Sequence, residues 1–125
     1  MLSIQGVFSG TLRTAQLEMD LGARPNTIVF RGMDLVAGLL SGNRSLSGIL
    51  YWAVGTGDPN WDAAPPPPNL RVRKLQNEIY RKRIEPGQLT YDSATKTMTV
   101  RVTFAPNEAV GTLREFGVFG GDASA

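Results

Sequence analysis

Polar and apolar residues alternate through the first twenty positions. Leu2 and Ile4 fall on one side with Gly6; Ser3, Gln5 and Val7 fall on the other, the period of a strand. Ser9-Gly10 reads as a turn. From Thr11 to Leu21 the alternation resumes on Leu12, Leu17, Met19 and Leu21, with a slip of phase near Ala15 that suits a bulge. The pattern predicts a hairpin over residues 2–21. Gly22 to Asn26 then reads as a loop, and the period changes. Ile28, Val29, Met33, Val36, Leu39 and Leu40 recur at steps of three and four, which places them on one face of a helix over about residues 27–40. Asn26 is suited to cap its start and Gly42 to end it.

Gly48 to Val54 is an unbroken apolar run rich in aromatic residues, the signature of a buried central strand. A proline-rich loop over residues 55–69 follows, with four consecutive prolines, Pro65, Pro66, Pro67 and Pro68. These favour a stiff extended segment that cannot donate to a ladder. Glu78 to Glu85 reads as a strand with Ile79 or Tyr80 inward. Gln88–Asp92 and Thr97–Phe104 pair as a hairpin across residues 93–96. In its second arm Met98, Val100, Val102 and Phe104 face one way, and Thr97, Thr99, Arg101 and Thr103 the other. Thr112 to Phe119 is the last strand, and Gly120 onward a loose tail. About seven short strands and one helix add up to a mainly β (α+β) fold: a small antiparallel sandwich or barrel-like sheet with one packed helix. The chain reads as a single domain, residues 1–125, with its β-rich C-terminal part at 78–119.

Composition narrows the function classes. The chain has 125 residues, 42% of them hydrophobic. A domain of that size is expected to bury roughly two-thirds of its unfolded surface without a staple. There is no Cys and no His, so neither a disulfide framework nor thiolate or imidazole chemistry is available. No metal and no cofactor is expected. No apolar run reaches the length of a membrane span, and the N-terminus has no basic-then-apolar leader. Synthesis in a cytoplasm, without a membrane partner, is the expectation. Net charge is only +2. Arg71, Arg73, Lys74, Arg81, Lys82 and Arg83 are nevertheless gathered in one segment, opposed there by Glu78. That cluster reads as a solvated edge or as half of an ionic protein interface, with nucleic acid the weaker alternative.

The remaining polar candidates have plain structural readings. Asp58 and Asp62 could act as paired carboxylates, but between Gly, Pro and Asn they read first as turn and cap residues. Gly55-Thr56-Gly57 follows a strand without the Lys-Ser/Thr and helix of a phosphate loop, so it reads as a strand-ending turn. Asp58 to Asp62 lacks the alternating ligands of a calcium loop. Trp52 belongs to the core. Trp61 either plugs its loop onto its own domain or anchors a partner.

Three segments carry a resemblance in their order. Ala53-Val54-Gly55-Thr56-Gly57 comes first. After the proline loop comes Leu75-Gln76-Asn77-Glu78-Ile79-Tyr80-Arg81, and last Leu113-Arg114-Glu115-Phe116-Gly117-Val118-Phe119. The series, preceded by a helix, is similar to the N-terminal region of bacteriophage tail-collar and tail-fibre proteins. The resemblance implies a non-enzymatic attachment module of a phage tail or phage-derived injection machine. It also implies a place in the virion (tail or baseplate), multi-copy or homo-oligomeric assembly, and other tail, baseplate or fibre proteins as partners. Trp61, Pro65 to Pro68, Arg71, Arg73, Lys74, Arg81 and Arg83 are the expected contact residues. Glu78 with Arg81 and Arg114 with Glu115 are the expected ion pairs, and Gly117 is expected to leave room for Phe116 and Phe119. The chain ends soon after the closing motif, so an adaptor is expected rather than a receptor-binding fibre. The alternative is a carbohydrate-binding β-sandwich at a virion or cell surface, which predicts Trp61 and Tyr51 or Tyr80 in one exposed groove.

Overall fold

The apolar run becomes the middle of a sheet. In the computed structural model, which describes residues 6–13 and 18–26 by their backbone and residues 28–121 in full, strand β3 (Ser47–Gly55) lies between β4 (Glu78–Arg83) and β7 (Glu115–Gly121). Both pairings are antiparallel. Tyr51 stands opposite Arg83 and Phe119, Ala53 opposite Arg81 and Gly117. Strand alternation therefore puts Tyr51, Ala53, Arg81, Arg83, Gly117 and Phe119 on one face. Trp52, Val54, Tyr80, Lys82, Phe116 and Val118 share the other. Among the described residues the buried apolar side chains are Tyr51, Ala53, Val54 and Ile84, three of them from β3.

Two further antiparallel hairpins complete the described strands. β1 (Gly6–Arg13) pairs with β2 (Glu18–Asn26), and β5 (Leu89–Asp92) with β6 (Thr97–Val100). Among the described residues the fold is thus mainly β, antiparallel, with one α-helix, as expected. Its central sheet of three strands is open and does not close into a barrel.

The N-terminal hairpin corrects the expected one. Ser9 and Gly10 lie within β1, and the register shifts between Gly10 and Thr11. The glycine marks a bulge where a turn was expected. Residues 14–17, with the expected bulge at Ala15, lie outside the described residues, as do residues 1–5, residue 27 and the tail at 122–125. Gly22 to Asn26, read as a loop, extends β2; Pro25 is compatible with a strand that is at an edge.

Helix α1 (Phe30–Leu40) starts three residues later than predicted. Asn26 is spent in β2, so Val29 stands at the cap without a side-chain hydrogen bond. Its other end is as predicted: Gly42 has φ +82°, and the Asn43 N–H reaches the Gly38 carbonyl at 3.0 Å. The helix lies beside β3, with Leu35 against Gly121 of β7 and Leu46, just before β3, folded over Gly38. That seating turns Leu35 and Val36 inward, whereas Met33, Leu39 and Leu40, predicted to face the core, are exposed.

The β5–β6 hairpin pairs across residues 93–96 as predicted, with Leu89 opposite Val100 and Tyr91 opposite Met98. Asp92 Oδ1 accepts from the Ala94 N–H at 2.9 Å and stabilises the turn. The second arm ends at Val100, short of Phe104. Residues 103–108 leave the ladder to cover β4: Phe104 meets Tyr80 edge-on with centroids 5.9 Å apart, and Lys82 Nζ donates to the Thr103 carbonyl at 2.8 Å. Met98 and Tyr91 stay 56% and 61% exposed, so the cleanest alternation in the sequence does not cover a core. The last strand begins at Glu115 and runs through Gly121, taking in two residues read as tail.

Among the described residues the core is small: four buried apolar side chains, three of them on β3.

Candidate functional site

The three segments singled out in the sequence meet at one end of the central sheet, and Glu115 joins them. Its Oε1 accepts from the Asn77 N–H at 2.7 Å and from the Gly57 N–H at 3.2 Å; its Oε2 accepts from the Gln76 N–H at 2.8 Å. One carboxylate thus satisfies three backbone donors at both ends of the proline loop. The Thr56 N–H donates to the Asn77 carbonyl at 3.0 Å, and Asn77 Nδ2 donates to Thr56 Oγ1 at 2.5 Å.

Arg114, one residue earlier, serves the same loop from its own position. Its Nη1 donates to the Thr56 carbonyl at 3.0 Å, while Nε and Nη2 grip both oxygens of Asp62 at 2.8 and 2.9 Å. The expected Arg114–Glu115 pair is therefore replaced, and each side chain finds a different partner. The expected Glu78–Arg81 pair forms, with Arg81 Nη2 2.8 Å from Glu78 Oε1.

Two glycines are dictated by this joint. A Cβ on Gly55 would run into the Asn77 carbonyl oxygen and Glu115 Oε1. Gly57 has φ +57°, and the Trp61 ring lies where its Cβ would be. The half-buried Trp61 thus plugs its own loop. Phe116 stacks on Trp52 with centroids 5.2 Å apart and planes 13° from parallel. Gly117 admits Phe119 and Leu75 instead of Phe116. Tyr51 is buried and Tyr80 is half-buried against Phe104, so neither joins Trp61 in an exposed groove.

The acidic candidates are absorbed by this framework. Asp58 caps the short 3-10 turn Pro59–Asp62 by accepting from the Asn60 N–H at 2.9 Å. Asp62 is bound to Arg114, whose hydrogen bonds hold its carboxyl below the usual range. Among the described residues no group of three or more His, Cys, Asp or Glu is placed to hold a metal ion.

The basic cluster divides in two. Arg81 lies with its guanidinium carbon 4.2 Å from the Phe119 ring centroid and 5.9 Å from that of Tyr51, packed inside the sheet face. Lys82 Nζ sits 2.7 Å from Glu108 Oε2 and 5.8 Å from the Phe104 centroid. The hydrogen bond from Lys82, followed by that from the Ala105 N–H, holds Glu108 below its ordinary pKa. Arg71, Arg73, Lys74 and Arg83 are exposed, as are Pro65, Pro66, Pro67 and Pro68. The structure therefore does not gather all the expected contact residues into one surface: Arg81 and Trp61 are half-buried. Sequence reasoning missed Glu108, and it missed the partners that Glu115, Arg114 and Lys82 take. A charged pair, Arg114-Glu115, opening an otherwise apolar strand was the available signal.

No family model, no curated protein and no solved structure matches this chain. No helix among the described residues is long and apolar enough to cross a membrane.

Replacing Glu115 by Gln keeps one carbonyl acceptor and turns an amide donor toward backbone N–H groups. We expect Glu115→Gln to lower stability by about 2–3 kcal/mol, and Glu78→Gln, in an exposed pair, by less than about 1 kcal/mol. Urea unfolding of the two variants checks the ranking; equal losses would contradict it. Acid should destabilise the fold through Asp62, Asp92 and Glu108. Arg114 lowers the folded pKa of the first, the Ala94 and Thr95 N–H groups that of the second, and Lys82 that of the third. A lowered folded value means the unfolded chain takes up protons first, so this contribution is complete above the ordinary carboxylate range and is lost as pH falls through the folded values. The urea midpoint should drop below about pH 4, and Asp62→Asn should flatten part of that drop.

Proposed function

We propose that this chain is a structural protein of a bacteriophage-like tail, a baseplate or tail-fibre attachment subunit acting through protein–protein contacts. One observation carries the reading. The residues that give the sequence its resemblance to tail-collar and tail-fibre proteins are the residues that build the joint. Gly55, Gly57, Asn77, Arg114 and Glu115 contact one another across the three segments, and Glu78 and Arg81 pair beside them. A motif whose polar groups all serve the fold is a scaffold signature, and its order along the chain follows from the sheet it closes.

The surface supports the same reading. The joint presents outward a stiff proline span and the exposed cations Arg71, Arg73 and Lys74 that follow it. A pre-extended polyproline segment loses little conformational freedom on docking. A row of cations beside it selects an acidic partner surface. The large exposed apolar side chains, among them Leu40 at 76% and Val110 at 73%, are what a subunit completed by neighbours leaves bare when isolated.

The test is made on particles. Tail-like particles assembled without this chain should form tube and sheath but carry no fibres, and the purified chain should restore the fibres. Complementation with Arg71, Arg73 and Lys74 all changed to Glu should restore fewer. Full fibre occupancy without the chain would overturn the proposal.

A further inference from the structure

Most basic residues among those described are held by their backbone. Arg31 lies in α1, and Arg81, Lys82 and Arg83 lie in β4. The Arg101 and Arg114 N–H groups donate to the Gln88 and Gly55 carbonyls. Lys96 stands at φ +57° in the tight β5–β6 turn, and Arg44 sits in a turn closed by the Leu46 N–H on the Asn43 carbonyl at 3.3 Å. Arg73 and Lys74 differ. They end an unbroken exposed run, residues 62–74, and no helix or strand lies between Asp62 and Glu78. Neither makes a hydrogen bond or ion pair with another described residue. The chain is fixed on both sides of them. Upstream, the Leu70 carbonyl accepts from the Phe30 N–H at 2.9 Å, and Asn69 accepts from the Arg71 and Val72 N–H groups. Downstream, Glu115 holds the Gln76 and Asn77 N–H groups. Residues 73–75 are thus a free span between two anchored points. A peptidase cleft binds its substrate as an extended segment, so it needs backbone groups that no turn or ladder has claimed.

We propose that the peptide bonds after Arg73 and Lys74 are a processing site for a peptidase that selects a basic side chain, and that the cut frees the cation row at a chain end while the sheet stays whole. The inference is independent of the tail reading. Water adds across the bond: the C–N bond breaks, the new carboxylate stays on Arg73 or Lys74, and the amine stays on the residue that follows. Neither bond is followed by proline. The first piece then carries β3, and the second carries β4 and β7, which pair with β3 on its two sides. The joint also spans the cut. Arg114 binds Asp62 and the Thr56 carbonyl, Glu115 accepts from the Gly57 N–H, and Phe116 stacks on Trp52, all from one piece to the other. Hydrolysis removes none of these contacts. It changes Arg71 and Arg73 from members of a loop closed at both ends into the end of a chain.

Trypsin at a low ratio to the intact, folded chain is the probe, with the fragments read by mass. Within residues 28–121 the first cut should fall after Arg73 or Lys74, ahead of Arg44 and Lys96. The two pieces should co-elute in gel filtration with the circular dichroism spectrum retained, and should part only in urea. A carboxypeptidase that removes basic residues should then shorten the first piece. Changing Arg71, Arg73 and Lys74 together to Gln, all three exposed, should slow the loop cut by about tenfold or more and leave the urea midpoint in place. A first cut at Arg44 or Lys96, pieces that separate without denaturant, a new end that resists the carboxypeptidase, or undiminished loop cleavage in the variant would each overturn the proposal. Fibre occupancy on particles remains the separate judge of the tail reading.

Discussion

The fold depends on how one carboxylate is placed. Glu115 starts the last strand and accepts N–H groups from residues 57, 76 and 77, the two ends of the long proline loop. A loop that long is costly to hold closed, although the cost grows only slowly with length. A charged acceptor with three backbone donors meets it at the base, and Arg114 meets it again further along through Asp62 and the Thr56 carbonyl. The glycines at 55 and 57 follow from this crowding, because the carboxylate, the Asn77 carbonyl and the Trp61 ring occupy the space a side chain would need. The proline span is thus held at its root by the same strand that completes the sheet.

That arrangement makes sense of a sheet with so little buried beneath it. Only Tyr51, Ala53, Val54 and Ile84 are buried among the described apolar residues. Directional contacts supplement the small core. Arg81 lies over Phe119 and pairs with Glu78; Lys82 draws Glu108 and residue 103 onto the opposite face; Trp52 and Phe116 stack. Such contacts specify geometry well and supply modest stability each.

Much of the fold was legible in the sequence. The aromatic run at 48–54 read as a central strand, and the hairpin across residues 93–96 was visible from the turn between its arms. The failures have particular causes. Asn26 carries a strong cap signal, yet pairing of β2 with β1 claimed it and the helix began at Phe30. Ser9-Gly10 has turn chemistry but sits at a bulge. Met98 to Phe104 alternates well, but strand alternation does not show where a ladder ends, and Tyr80 and Lys82 drew the last residues away. The joint was half legible. Its three segments were visible as an ordered set, and the Glu78–Arg81 pair followed from strand proximity. The convergence on Glu115 depends on backbone N–H groups, which no side-chain pattern advertises. The basic cluster was half legible as well: Arg81 and Arg83 share a face of β4, yet Arg81 lies over Phe119 while Arg83 stays exposed.

The central claim is that the ends of the proline loop are fixed to the last strand through Glu115. Amide hydrogen exchange on the intact chain measures this directly. The account predicts that the N–H groups of Gly57, Gln76 and Asn77 exchange as slowly as those of the central sheet, and that all three become fast together in Glu115→Gln. Fast exchange of Gln76 and Asn77 in the wild-type chain, beside a protected β3, would contradict it.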